Sequence, residues 1–447
     1  MRFRYSAEDN GKLVKKAAVY TQDEHRINVS DVDPQAVYII QRLQANGYET
    51  YVVGGAVRDL ILGKKPKDFD IVTSASPTKI KTIFRNARII GRRFRLVHVF
   101  FGPKIFEVST FRSIKDGPTS NTFGTIEEDV QRRDFSLNAL FYDPMKQLVI
   151  DYVGGMKDMK KHLIRPIIPL PSIFTDDPVR MIRAVKYSAV AGFTLPFLLK
   201  MKIRKQSALL ADVSPSRLTE EIFKIIHSPH ARIIIEGLDA LGLYNYLQPR
   251  AEELFKSEPE FKAKYFKSLD ALNSETFKNL PGEQLSALVR DYLETRADWD
   301  GTQPETEPID GDGGDSGESA SGAERPTADS PRSVAERYRR AFRLARQFVL
   351  PMNPPRVELE AALKLLFAEH GVPIKKAHTS ERRRRPAGFA PAGFAPGGSA
   401  RAGKPLAGSA RAAADKPAAV PGAAAKARSA GKRRRKRRKA APREENS

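Results

Sequence analysis

Cysteine is absent from the 447-residue sequence. There is consequently neither a disulfide framework nor a thiolate zinc site, as a reducing compartment favours. The first ten residues, Met1 to Asn10, contain no apolar signal region. No uninterrupted apolar run approaches the ~20 residues that a membrane helix requires. A cytoplasmic location with no membrane partner is the resulting expectation. Acidic residues are also in deficit, with 53 Asp and Glu against 76 Lys and Arg and a net charge of +23. Such a balance suits a polyanionic partner, but its distribution matters. Residues 372–447 hold 21 Lys and Arg against 4 Asp and Glu, so +17 of the charge lies there and the body is only mildly basic. A length of 447 residues with 41% hydrophobic content fits two or three domains with sizeable cores.

Against these absences stands one informative stretch, Lys67-Asp68-Phe69-Asp70-Ile71. In a strand, positions i and i+2 point to the same side. A strand over 68–73 would therefore project Asp68 and Asp70 together while Phe69 and Ile71 pack the other way. Two hard oxygen ligands on a rigid element suit Mg²⁺. Upstream, Tyr51-Val52-Val53 reads as a short buried strand, and the run from Gly54-Gly55 to Gly63 as a tight turn entering a short helix. Backbone N–H groups at a helix N-terminus make an anion site. Taken singly, the glycine pair is an ordinary turn and Asp-x-Asp a solvated strand edge. In this order they place a polyphosphate beside metal-binding carboxylates, which is what in-line nucleotidyl transfer requires. The chain reads as an enzyme that adds nucleotides.

Residues 34–46 form an expected amphipathic helix, with Asp33 as N-cap, Pro34 at its first position and Gly47 at its exit. Strands are expected at 50–53, 68–73, 87–91, 95–101, 104–110 and 147–152, and helices at 55–62, 77–85 and 134–141. That pattern gives an α/β or α+β head domain. From Asp177 the apolar spacing becomes helical, near 177–191, 215–227, 230–242 and 250–271. Residues 297–331 carry ten acidic residues and one Arg among Gly, Ser and Pro, a composition expected to be disordered. Helical periodicity returns between Ser333 and His370, and beyond it a basic, Ala/Gly/Pro-rich tail cannot bury a core. The expected organisation is an N-terminal extension (1–33), a catalytic head (34–165), a helical nucleotide- and RNA-binding neck and body (166–296), an acidic linker (297–332), a helical segment (333–371) and a disordered tail (372–447).

Five motifs occur in order: Gly54-Gly55-Ala56-Val57-Arg58-Asp59, Lys67-Asp68-Phe69-Asp70, Arg132-Arg133-Asp134-Phe135-Ser136-Leu137-Asn138-Ala139-Leu140, Asp151-Tyr152-Val153-Gly154-Gly155 and Asp176-Asp177-Pro178-Val179-Arg180-Met181-Ile182-Arg183-Ala184. Over roughly residues 36–245 the chain resembles the class II tRNA nucleotidyltransferase and bacterial poly(A) polymerase family. The segment Ile89-Ile90-Gly91-Arg92-Arg93-Phe94-Arg95-Leu96-Val97-His98-Val99 resembles the stretch that marks the poly(A) polymerases, as does the basic tail.

The resemblance implies template-independent transfer of AMP from ATP to RNA 3′ ends, with pyrophosphate released and two Mg²⁺ ions held by Asp68 and Asp70. It implies Asp134 as a third catalytic residue and Glu107 as a further carboxylate beside the metals. Gly54, Gly55, Arg58 and Arg133 would bind the nucleotide, with Asp177, Arg180 and Arg183 on a neck helix. Asp177 and Arg180 would lie on one helical face and match the N6 donor and N1 acceptor of adenine. The family's usual Glu is replaced by Asp176, one methylene shorter. Arg217 and Glu220 or Glu221 would support that helix. Residues 113–131 are shorter than the corresponding mobile stretch of such polymerases, which puts closure over ATP or RNA in question.

The tail would grip RNA phosphates through Arg382, Arg383, Arg384 and Arg385 and through Lys432, Arg433, Arg434, Arg435, Lys436, Arg437, Arg438 and Lys439. Phe389 and Phe394 could stack on bases, and the acidic linker could compete with RNA for the tail. Partners would be RNA 3′ ends, ATP and proteins of RNA decay. Two alternatives stand beside this reading: CCA addition to tRNA, and an RNA-binding protein that has lost catalysis.

Overall fold

The structure, a computed structural model, describes residues 2–7, 13–91, 96–113, 115, 122–272, 281–301, 331–372 and 374. Most of the acidic linker and, apart from Val372 and Ile374, the basic tail lie outside these residues. Met1–Ala377 makes one compact unit; the other, His378–Ser447, falls outside the described residues.

Nine strands form one mixed sheet: β1 (Arg2–Ala7), β2 (Leu13–Tyr20), β3 (Thr50–Val53), β4 (Asp70–Thr73), β5 (Ala87–Ile90), β6 (Leu96–Phe101), β7 (Lys104–Thr110), β8 (Leu140–Asp143) and β9 (Leu148–Asp151). Their lateral order is β1-β2-β9-β8-β3-β4-β7-β6-β5, and of these described strands only β4 and β7 pair in parallel. Its helices are α1 (Gln22–His25), α2 (Pro34–Ala45), α3 (Gly55–Ile61), α4 (Pro77–Ile83), α5 (Ile126–Gln131) and α6 (Gly155–Lys160). As the sequence suggests, Asp33 caps α2 by accepting from the Gln35 N–H at 2.8 Å, and Gly47 leaves it at φ +82°.

The two faces of this sheet are covered differently. On one, Val52, Ile71, Val97, Val99, Val108, Tyr142 and Val149 are buried in a core shared with Ile39, Ile40 and Leu43 of α2 and Ile80 of α4. That core continues without a break into the helices beyond the head. On the other, a smaller cluster of Tyr51, Val53, Val72, Phe141 and Ile150 lies under Ile126 and Val130 of α5. The latter cluster stops at β4.

The expected helix over 134–141 is not formed. A 3₁₀ turn at Ser136–Asn138 leads into β8, whose four residues are all buried between β3 and β9. A short continuous apolar run does not reveal by its period whether it is helix or strand, and here the neighbouring strands decide. The expected helix over 250–271 is likewise two, because Pro259 lacks the N–H to continue a helix and holds Glu258 in an extended conformation (φ −130°, ψ 87°). Within 113–131, Thr125 caps α5 in a reciprocal capping box with Glu128.

Beyond the sheet follow α7 (Ile173–Asp176), α8 (Val179–Ala191), α9 (Phe197–Gln206), α10 (Pro215–Ile226), α11 (Ala231–Ala240), α12 (Pro249–Ser257), α13 (Pro259–Ala271), α14 (Pro281–Glu294), α15 (Pro331–Phe348) and α16 (Arg356–Glu369). Lys186 on α8 pairs with the buried Glu221 of α10 at 2.7 Å, tying the first long helix after the sheet to the body. Among the described residues, no helix is long and apolar enough to cross a membrane.

Candidate active site

The site begins where β3 ends. Val53 pairs with Asp70, and the chain then turns at Gly54 with φ +71° and ψ −134°. Only glycine adopts this conformation readily. A Cβ added there would stand 3.6 Å from Oδ2 of Asp70, so the absence of a side chain at the turn leaves the space beside the carboxylate open.

The expected strand over 68–73 starts only at Asp70. Gly54 takes the partner chain away at that point, and the ladder has nothing further to pair with. Asp68 therefore precedes the strand, and the two-residue period does not place it. Asp68 nonetheless acts on Asp70, whose pKa is pushed up to about 6, first by desolvation and then by Glu107 and Asp68, against the pull of Arg133. Asp70 keeps contact with solvent. Its desolvation comes from surrounding protein mass rather than from complete enclosure.

Glu107 lies on β7, beside Asp70 in the parallel register that joins Ile71 to Val108. Its Oε1 stands 3.5 Å from Nε2 of His98, the residue directly opposite on β6. Among the described residues, no three His, Asp or Glu side chains close into a ready-made metal cage. Asp68 and Asp70 with an open front instead match the donor set of Mg²⁺. This ion commonly takes one or two carboxylates and completes its shell with water and substrate phosphate.

A basic group adjoins the carboxylates. Arg133 donates to Asp129 at 2.9 Å and to the Asn138 carbonyl at 3.1 Å, and its guanidinium lies 5.0 Å from the Phe141 ring centre. Arg112 and Arg132 gather round the same Asp129. Burial first, and then neighbouring guanidiniums, lower the pKa of both. Arg112 was not singled out by the sequence reading; its signal was only its place directly after β7. Arg58 is buried, donating to Asp59 at 2.9 Å and to Asn138 at 3.0 Å, with its guanidinium 5.5 Å from the Tyr187 ring centre. In this state Arg58 fastens α3 to the Ser136–Asn138 turn and α8.

Asp134 is buried, and its Oδ1 accepts from the Phe135 N–H at 2.8 Å. Its Oδ2 faces Nη2 of Arg183 at 2.9 Å as an ion pair, without the alignment of a hydrogen bond. Arg183 also donates to the Tyr187 hydroxyl at 3.1 Å. Asp177 precedes the helix it was expected to begin, with extended backbone at φ −156°. Both its carboxylate oxygens accept from Nη2 of Arg217, at 2.9 and 3.0 Å. Arg180 is buried and donates to the Ile173 carbonyl at 3.0 Å. The two do not stand paired as a forked reader. Asp177 is nonetheless a leading charge acting on Arg180, together with Asp134 and Asp176. Asp70, Arg133, Arg180, Asp134 and Arg183 thus belong to one continuous zone of charge. Arg382 to Arg385 and Lys432 to Lys439 lie outside the described residues.

Residues 50–165 match the Poly A polymerase head domain, and residues 192–255 match the probable RNA and SrmB-binding site of polymerase A. The chain is 42% identical over 250 residues to poly(A) polymerase I of Escherichia coli, a match covering 52% of this chain and 53% of that one. It is 39% identical over 225 residues to a CCA-adding enzyme of Geobacillus thermodenitrificans, covering 49% and 55%. It thus spans about half the length of the curated relatives it matches. A crystal structure of Bacillus stearothermophilus CCA-adding enzyme with CTP is similar at 32% identity and a TM-score of 0.47, over 58% of this chain and 63% of that one.

Proposed function

We propose, from the premise that residues 50–165 belong to the Poly A polymerase head-domain family, that this protein adds AMP from ATP to RNA 3′ ends without a template. The observation that carries the reading is the side-chain-free Gly54 turn next to Asp70, with the charges of Asp68, Glu107 and Arg133 acting on that carboxylate. A triphosphate lying along the turn would bring its α-phosphorus to the carboxylates, with Arg133, Arg132 and Arg112 balancing its charge. The RNA 3′-oxygen then bonds to that phosphorus as the bond to pyrophosphate breaks, and the hydroxyl proton is released. Divalent cations held by Asp68 and Asp70, two in the proposed scheme, would make the hydroxyl more acidic and neutralise the leaving group.

Asp177 and Arg180 would read the adenine, and Arg183 would reach a phosphate, once a nucleotide replaces the contacts they now make. The likeness to poly(A) polymerase I favours adenylate tails, and a role in RNA decay in the cytoplasm is proposed with them. The Geobacillus relative supports CCA addition as the second reading.

The test is extension of an unstructured RNA and of a tRNA lacking its CCA end, with ATP or CTP singly and together. Long ladders on both RNAs with ATP alone are expected. Three additions confined to the tRNA and dependent on CTP would establish the second reading instead. RNA binding with no extension would leave a binding protein.

A further inference from the structure

Of the segment Ile89 to Val99, Ile89 and Ile90 lie on β5 and Leu96 to Val99 on β6, two antiparallel neighbours at the edge of the sheet. Strand register sets Arg88 opposite His98, His98 opposite Glu107, and Glu107 beside Asp70. The four therefore form one lateral row on a single face, running from the sheet edge to the reacting centre. This is the face whose apolar cover stops at β4. Ile90 and Ile105 are 41% and 51% exposed there, and Phe100, opposite Ile105, is half-buried and belongs to neither core cluster. The Arg88 guanidinium lies 5.6 Å from the Phe100 ring centre, and the His98 ring meets Phe100 edge-on at 6.2 Å.

The two sides of Asp70 are unlike. Gly54 and Arg133, the latter over Phe141 of β8, occupy the β3–β8 side. If the triphosphate takes that side, an in-line displacement must bring the acceptor oxygen from the opposite side. That side is β7-β6-β5.

We propose that the bare face of β7, β6 and β5 seats the 3′-terminal nucleotides of the RNA, with the terminal base stacked on Phe100 and a backbone phosphate on Arg88. The assignment rests on the adenylation reading above. A stacking platform accepts every base through its π-face, as an enzyme must whose acceptor becomes its own product. His98 serves as a positioning residue, setting Glu107 against the acceptor ribose, and the cation on Arg88 complements the phosphate.

The test uses the full chain with Phe100→Ala, Phe100→Trp and Arg88→Ala, each first shown by thermal melting to be folded. Phe100→Ala should raise KM for a short unstructured RNA about tenfold, the scale of one lost base stack, with KM for ATP unchanged. Phe100→Trp should restore it. Arg88→Ala should reduce the salt dependence of RNA affinity by about one phosphate contact. Wild-type extension with an unaltered RNA KM in Phe100→Ala, or an equal rise in both KM values, would overturn the assignment. If the wild type itself adds no adenylate, the adenylation reading fails separately. The platform is then judged by equilibrium binding of 5′-labelled oligo(A), where equal affinity of wild type and Phe100→Ala rejects it.

Discussion

Asp70 and Asp134 are both aspartates of the head, yet their surroundings balance charge in opposite ways. Asp70 is open to solvent and faces two further carboxylates, with Arg133 opposing them among the described residues. Asp134 is buried, bonded to its own backbone and paired with Arg183, which Tyr187 holds in turn. Among the described residues the first carboxylate has no ion pair of its own, and a proton or a cation completes its charge balance. The second is neutralised by the protein itself, and in this state it joins the head to helix α8. Residue type does not distinguish the two roles, but the charge around each does.

The sharpest break of this comparison is Asp70→Asn. Loss of the carboxylate should lower RNA extension by about a thousandfold or more, on the order of 4 kcal/mol in the barrier. Stability should move the other way. With its pKa near 6, above the ordinary carboxylate value, folded Asp70 retains a proton that the unfolded chain has released between about pH 4 and 6. The stability it contributes is present at low pH and lost as pH rises through that window. Asp70→Asn should therefore be more stable than wild type at pH 7 and equal to it near pH 4, as urea denaturation at both pH values would show. A wild-type advantage at pH 7 would mean that Asp70 is already neutralised.

Arg183→Ala should act on stability first. It leaves a buried carboxylate without its cation, a loss of about 3 kcal/mol. Adding Asp134→Asn should recover part of that loss, since the two residues are in contact. A single-variant loss below about 0.5 kcal/mol would show that water solvates Asp134 as well as Arg183 does. The smallest stability effect belongs to Arg217→Ala. Its pair with Asp177 is half exposed on the arginine side, and such pairs are worth about 0.5 kcal/mol or less. The melting temperature should hardly move, while preference for ATP over CTP falls if Asp177 takes part in reading the base. Unchanged preference would confine Asp177 to capping the start of α8.

Where local rules suffice, the sequence reading and the structure coincide. Asp33, Pro34 and Gly47 bracket α2, and the alternation from Lys104 to Thr110 appears as a strand with one buried face. The reading went astray where distant partners decide. The helix expected over 134–141 ran into Leu140 and Phe141, whose short apolar run has no helix-specific period, and β3 and β9 make Leu140–Asp143 a strand. Strands β1 and β2 were unmarked for the same reason, as they pair with each other and join the sheet through the pairing of β2 with β9.

The candidate ingredients of the site, a glycine turn, the Asp68 and Asp70 carboxylates and the arginines that follow, were legible in residue type and order alone. How they are shared out came from long-range pairing and packing. Strand register set Glu107 beside Asp70 and His98 beside Glu107. The packing of α8 gave Asp134 its arginine while leaving Asp70 without an equal one. The physical reason is that a carboxylate's function depends on net charge and solvent within a few ångströms, and most of that surrounding comes from residues remote in the chain.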